Sequence, residues 1–388
     1  MMETIERHLS SPRGSFFLFG PRGTGKTTWL HAAFPKATWV NLLDAEIFRT
    51  FSARPERLRE LVGPLSGQHI IVDEVQRIPE LLPVIHDLIE SQGGKNVFVL
   101  TGSSARKLRR TGADMLAGRA VVLQMHPFTA AELGNRFNLN TALKIGMVPV
   151  CVGASDPLAT IRSYVAVYIQ EEVRQESLVR NIGDFNRFLE VASFSHGAEL
   201  NASNIARECA IGRRSVEGYI GILDDLLVAF KVPPFTKKAE RAPRGHSKFY
   251  FFDAGVYRSL RPSGPLDRPE EIDGPALEGL VAQHLRAWIS YNDHADKFYY
   301  WRNYSGSEVD FVVYGGRSFA AIEVKNSSRI RSEDLKGLKS FLGLYPKAAG
   351  LVLYRGSERL MVDEIMCEPV TSFLLRLRPK ARLIERNG

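Results

Sequence analysis

One segment constrains this chain more than any other: Gly20-Pro21-Arg22-Gly23-Thr24-Gly25-Lys26-Thr27, with Thr28 directly behind it. It follows a short apolar run, Phe16 to Gly20, and opens a helix-period segment, Thr27 to Phe34. The pattern G-x-x-x-x-G-K-[ST] between a strand and a helix is a phosphate-binding loop. Its glycines let backbone N–H groups wrap phosphate oxygens, and the helix N-terminus adds a favourable field. Lys26 is placed to reach the β- and γ-phosphates of ATP, and Thr27 to give its hydroxyl to Mg2+. A loop of this kind demands a strand on one side and a helix on the other, so an α/β architecture is expected from the outset.

The surrounding pattern agrees. Apolar runs at Ala37–Asp44, His69–Val75, Asn96–Thr101 and Ala120–Met125 alternate with helical patterns such as Leu81–Ser91. Alternation of this kind predicts a parallel sheet with helices on both faces. The run Ile70-Ile71-Val72 ends in Asp73-Glu74. There Asp73 is expected to hold Mg2+, and Glu74 to orient and deprotonate the attacking water. After the next strand comes Thr101-Gly102-Ser103-Ser104. Ser103 is the first choice for a contact with the γ-phosphate or the water, with Ser104 and Thr101 as competitors.

With 388 residues the chain has room for two to four domains of ordinary size. No apolar stretch is long enough to predict a transmembrane helix, and Met1 to Pro12 carries Glu3, Glu6, Arg7 and His8 before any apolar run, which does not read as a signal peptide. Cys151, Cys209 and Cys367 lie far apart and fit neither a disulfide framework nor a zinc spacing. A reducing cytoplasm is the expected compartment. The net charge of +8 tilts mildly towards a polyanionic partner.

The segments GPRGTGKTT, IIVDEVQ, VLTGSS, LAGR and HPFTAAEL resemble, in that order and spacing, the AAA-type ATPases of the DUF4143 family. Gly146-Met147-Val148-Pro149 and Tyr168-Ile169-Gln170-Glu171-Glu172 continue the resemblance, which covers nearly the whole chain. It implies a P-loop ATPase with a winged-helix segment and a nuclease-like tail. In ring ATPases an arginine placed like Arg119 reaches the γ-phosphate of the neighbouring subunit, so a homo-oligomer, by analogy a hexameric ring, is implied. The chain departs from standard AAA+ proteins in lacking an evident helical lid with a second sensor arginine.

Ser203–Cys209 and Arg213–Phe230, joined by a short turn at Gly212, read as a helix-turn-helix. Arg213 and Arg214 would open a recognition helix, and Lys237, Lys238, Arg241 and Arg244 would form a wing tracking DNA phosphates. Near the C-terminus, Glu278, Asp310, Glu323 and Lys325 suggest a second Mg2+ site. Asp310 and Glu323 are the expected ligands; Glu278 and Lys325 support them. Glu323 and Lys325 share one face of a strand because side chains alternate. The pieces are similar to the PD-(D/E)xK nuclease fold and to archaeal Holliday-junction resolvases, either as an active nuclease or as a retained scaffold.

The expected organisation is therefore an ATPase core over 1–135, a helical lid or linker over 136–182, a winged helix over 183–260, a Pro/Gly-rich linker over 261–275 and a nuclease-like domain over 276–388. The expected function is an ATP-driven motor or remodeller acting on DNA, branched DNA included. A nucleotide-gated switch in a defence or toxin–antitoxin setting and an ATP-dependent protein remodeller stand as alternatives.

Overall fold

The computed structural model describes residues 5–91, 93–103, 116, 118–169, 172–173, 179, 181–236, 246–292 and 296–384. The chain divides into two compact units. One is Leu9–His126 with Asp225–Leu227; the other is Met1–His8, Pro127–Asp224 and Val228–Gly388.

The first unit is built on β1 (Phe16–Phe19), β2 (Thr38–Asn41), β3 (His69–Asp73), β4 (Val97–Gly102) and β5 (Val121–Gln124). They form one sheet in the order β2-β3-β4-β1-β5, with every pair parallel. β1 is buried along its whole length, as expected of a parallel strand covered on both faces. Phe17, Phe19, Val40, Ile70, Val72, Leu81, Ile85, Phe98 and Leu100 belong to the core of this unit. β5 is an edge strand, and its Val121 and Val122 stay exposed. The helices Lys26–Ala33 and Leu81–Ser91 stand where the periodicity put them. Two more, Ala45–Ala53 and Arg57–Val62, follow β2. Asp44 reads in sequence as the end of a strand; it is instead an N-cap, accepting from Glu46 N and Ile47 N.

This order matters for function. β4 lies between β1 and β3, so the carboxyl ends of all three strands open onto one edge. In open α/β sheets that edge is where ligands bind.

In the second unit the helices Ile182–Ser193, Ala202–Cys209 and Arg213–Asp225 accompany a three-stranded antiparallel sheet. Its strands are β6 (Ala198–Glu199), β7 (Ala229–Val232) and β8 (Lys248–Phe251), in the order β6-β8-β7. Phe185 and Phe188 of the first of these helices pack their rings against Tyr219 of the third. Three helices with a small sheet are the winged-helix arrangement expected here. The helix expected over Arg213–Phe230 ends at Asp225, because Leu227 takes a left-handed backbone (φ 60°) and Ala229–Val232 pairs with β8. Within the segment expected as a helical lid or linker, an α-helix over Pro157–Ser163 widens into a π-helix over Tyr164–Ile169.

The linker expected over 261–275 contains the start of a 23-residue helix, Pro269–Tyr291. Pro269 occupies the first turn, where a missing N–H costs nothing, and Glu270 and Glu271 favour the positive end of the dipole. Pro275 lies inside the helix and forfeits one backbone bond there. Burial of Ala276, Leu277, Leu280, Val281 and Leu285 compensates. Gly279 admits His196 against this helix: a Cβ there would stand 2.2 Å from His196 Nε2.

The six-stranded sheet that follows comprises β9 (Lys297–Arg302), β10 (Glu308–Tyr314), β11 (Phe319–Lys325), β12 (Ala349–Tyr354), β13 (Leu360–Val362) and β14 (Ile365–Pro369). Its order is β13-β14-β12-β11-β10-β9. β12 is followed by β13, β14 and the helix Val370–Arg376. Their turn residues Asp363 and Glu364 adopt positive φ without glycine, so the usual hairpin signal is missing. Between β11 and β12 a helix runs Lys336–Leu344 behind a 3-10 turn at Ser332–Leu335. Among the described residues no helix is long and apolar enough to cross a membrane, and the three cysteines are buried thiols.

Candidate functional site

The phosphate loop joins β1 to the helix Lys26–Ala33. Gly23 and Gly25 hold φ of 76° and 87°, a region that a side chain disfavours. Thr24 is buried and donates to Pro21 O at 2.7 Å. Lys26 is also buried, its ammonium donating to Gly20 O at 2.7 Å and Pro21 O at 3.3 Å. Arg22, Thr27 and Thr28 are exposed along the loop.

Two strands over, Asp73 ends β3. Its carboxylate accepts from Thr27 Oγ1 at 3.4 Å and from the Thr101 hydroxyl. A hydroxyl and a carboxylate side by side at the loop are the hard oxygen donors that Mg2+ takes, so Thr27 and Asp73 fit that ion. Glu74 adopts a left-handed backbone (φ 60°, ψ 46°). Its N–H donates to Thr101 Oγ1 at 3.1 Å, and its carboxylate accepts from the Gln76 amide. The same amide reaches Ser103 Oγ at 3.2 Å.

Thr101 and Ser103 are both buried and differ in their partners. Thr101 is fully buried, and its hydroxyl serves Asp73 and the Glu74 backbone. Ser103 shares Gln76 with Glu74; Ser104 lies outside the described residues. Gln76 was not singled out in sequence. Its position two residues after Glu74, inside IIVDEVQ, is the signal that could have found it. Arg119 follows Gly118 in a turn and ion-pairs with Glu90. Both are substantially exposed, and a solvent-screened surface pair of this kind holds weakly, so it is easily exchanged.

In the second unit, Arg213 and Arg214 are exposed at the start of their helix, and Arg213 pairs with Glu217 at 2.8 Å. Lys237, Lys238, Arg241 and Arg244 lie outside the described residues. The tail does bring Glu278, Asp310, Glu323 and Lys325 together, with Glu308 beside them. Lys325 Nζ donates to Glu323 Oε1 at 2.8 Å, and Val324 N donates to Asp310 Oδ2 at 2.8 Å. Burial, and then the neighbouring Asp310, push the Glu278 carboxyl up to about 7 and that of Glu323 up to about 8.

The residue that sequence reasoning missed is Lys248, at the start of β8. Its ammonium lies 2.5 Å from Glu308, 3.1 Å from Glu278 and 3.5 Å from Asp310. Burial alone would lower its pKa, but the three carboxylates hold it above the ordinary lysine value. Tyr250, on the same strand, donates to Glu278 at 2.6 Å. Among the described residues no group of three His, Cys, Asp or Glu side chains is placed to hold a metal ion.

The parallel sheet, the phosphate loop and the acids at the ends of β3 define an AAA-type P-loop protein. Comparison with known families agrees: an AAA domain matches residues 13–134, and two domains of unknown function, DUF8612 and DUF4143, match residues 124–267 and 273–373. The AAA and DUF4143 matches together support an AAA-type ATPase of the DUF4143 family. Two uncharacterised proteins, from Mycobacterium bovis and Mycobacterium tuberculosis, are each 26% identical over 364 residues, covering 92% of this chain and 80% of theirs. A solved structure of Thermotoga maritima RuvB, titled a Holliday junction branch migration motor, aligns with 57% of this chain and 82% of its own. The identity is 16% and the TM-score 0.28.

Proposed function

We propose that this protein is a cytoplasmic ATP-hydrolysing motor or remodeller that acts on DNA, assembles as a ring and takes branched DNA as its substrate class. The observation that carries the reading is the combination, in one chain, of an assembled P-loop site with a helix-turn-helix whose second helix opens on the exposed Arg213 and Arg214. The basic wing sequence Lys237, Lys238, Arg241 and Arg244 begins five residues after the end of β7 at Val232.

In the ATPase step Lys26 and the loop N–H groups hold the β- and γ-phosphates. Mg2+, held by Thr27 and Asp73, would neutralise phosphate charge. Glu74 takes a proton from the attacking water. Gln76 and Ser103 fix the direction of that carboxylate and of the water's approach. Arg119, released from Glu90, supplies positive charge to the neighbouring subunit's transition state. The winged helix grips phosphates, so nucleotide state and DNA grip are coupled through assembly.

The test is the ATPase rate of the full chain against duplex, single-stranded, forked and four-way DNA. Stimulation by DNA should fall steeply with salt, as counterion release requires. Reversing Arg213, Arg214, Lys237 and Lys238 to Glu should remove the stimulation and leave the basal rate. A DNA-insensitive ATPase whose quadruple variant binds DNA like wild type would refute the reading and favour a protein remodeller.

A further inference from the structure

The acidic cluster of the tail has the residue types of a metal-dependent nuclease centre, yet its geometry disagrees with one. Glu278, on the helix Pro269–Tyr291, Glu308 and Asp310, on β10, and Glu323, on β11, converge, and their side chains are 18%, 33%, 13% and 10% exposed. The centre of three of them is filled by the Lys248 ammonium, whose own side chain is 4% exposed. Several of their oxygens are also engaged. Glu278 Oε1 accepts from both Lys248 and Tyr250. Asp310 gives Oδ1 to Lys248 and Oδ2 to the Val324 N–H. Glu323 gives Oε1 to Lys325, and its buried Oε2 has no partner among the described residues. A Mg2+ ion needs oxygens converging at about 2.0–2.1 Å in near-octahedral array. The oxygens here converge on an amine at hydrogen-bonding distances instead.

We propose that Lys248 is a tethered cation standing where a divalent ion would sit, so that the nuclease-like domain of this protein is metal-free and does not cleave DNA. The proposal is independent of the DNA-motor reading above. A covalently attached ammonium supplies the charge that several buried carboxylates require, without the ion's open coordination positions, which are what a hydrolytic metal needs to activate water. The amine arrives from the winged-helix sheet, not from the nuclease-like segment. The device therefore serves as an internal link: β8 contributes the cation, and the helix and strands of the tail contribute the anions. The Tyr250 hydroxyl on the same strand reinforces it.

The experiment is a Mn2+ titration of the full-length, nucleotide-free protein, followed by calorimetry and by the signal of free Mn2+. Wild type and Asp310→Asn should behave alike, with no Mn2+ bound in an Asp310-dependent way. Lys248→Ala should gain one Mn2+, at least about tenfold tighter than any ion bound by wild type, and Lys248→Ala/Asp310→Asn should lose it again. Mn2+ should also raise the melting temperature of Lys248→Ala and not that of wild type. A folded Lys248→Ala protein that gains no ion overturns the proposal. Should Lys248→Ala fail to fold, Lys248→Gln offers a neutral side chain of similar length. The wild-type arm decides independently: Asp310-dependent Mn2+ binding, or Mn2+-dependent cutting of linear or four-way DNA that disappears in Asp310→Asn, overturns the proposal outright.

Discussion

Replacing Thr101 by Val preserves the shape of a fully buried side chain and deletes one hydroxyl. That hydroxyl donates to Asp73 and accepts from the Glu74 N–H at 3.1 Å. Loss of the acceptor leaves a partly buried N–H without its bond, at about 1–3 kcal/mol. The left-handed backbone of Glu74, at φ 60°, costs a residue with a Cβ about 1–2 kcal/mol. The two magnitudes are comparable, so the bond is what keeps Glu74 in that conformation. Without it the residue relaxes, and every 1.4 kcal/mol is about tenfold in the population of the catalytic pose. We expect kcat for ATP hydrolysis to fall about 10- to 100-fold in Thr101→Val. Lys26 and Thr27 keep their own contacts but Asp73 loses the Thr101 hydroxyl, so at saturating Mg2+ KM should change less than about threefold. Thr101→Ser restores the hydroxyl and should recover most of the rate. Steady-state ATPase kinetics of the three proteins settle it. A Thr101→Val enzyme with kcat within about twofold of wild type would refute the argument, because the clamp would then be idle.

Lys26→Ala should lose nucleotide binding in a fluorescent-nucleotide titration, whereas Glu74→Gln should bind ATP and turn it over about 100- to 10,000-fold more slowly, since water activation alone is removed. Arg119→Ala should lose hydrolysis yet keep ATP affinity. Mixing it with Lys26→Ala subunits should restore turnover if the arginine acts across a subunit boundary, while Glu90→Ala should leave the rate near wild type because the exposed Arg119–Glu90 pair contributes little. Asp253 gives a pH signature: it is fully buried and accepts from Met147 N at 2.6 Å, Gly255 N at 2.8 Å and Val256 N at 3.1 Å. Burial outweighs those bonds and pushes its carboxyl up to about 6 from 3.8. The native state therefore holds a proton that the unfolded chain has released, so this group's contribution is full below pH ~3.8 and is lost as pH rises through ~6, a difference of about 3 kcal/mol. Asp253→Asn should remove that slope, read as the difference between the two melting-temperature profiles from pH 4 to about pH 7.

The sequence by itself determined the ATPase half of this protein. A phosphate loop needs glycines, a lysine and a hydroxyl at fixed offsets, and a buried parallel strand needs a continuous apolar run; both requirements are local, and Gly20–Thr28 and Ile70–Glu74 satisfy them on inspection. Glu323 and Lys325 could likewise be placed on one face because strand alternation is a local rule. The tertiary structure decided what depends on distant segments meeting. Pro269 to Pro275 looks like a linker because proline and glycine usually break structure, yet burial along Pro269–Tyr291 carries the helix through them. Leu227, Asp363 and Glu364 turn the chain with positive φ and no glycine, so β7 and β14 gave no local warning. Thr101 and Ser103 are near-equivalent on paper. The sheet order separates them by pointing one hydroxyl into the β3 carboxylate and leaving the other beside Gln76. Lys248 is the clearest case. In sequence it closes a basic stretch and opens a strand, 30 residues or more from every acid it meets. Coulombic attraction acts through space and not along the chain, so its partners become visible only when the winged-helix sheet and the tail fold against one another.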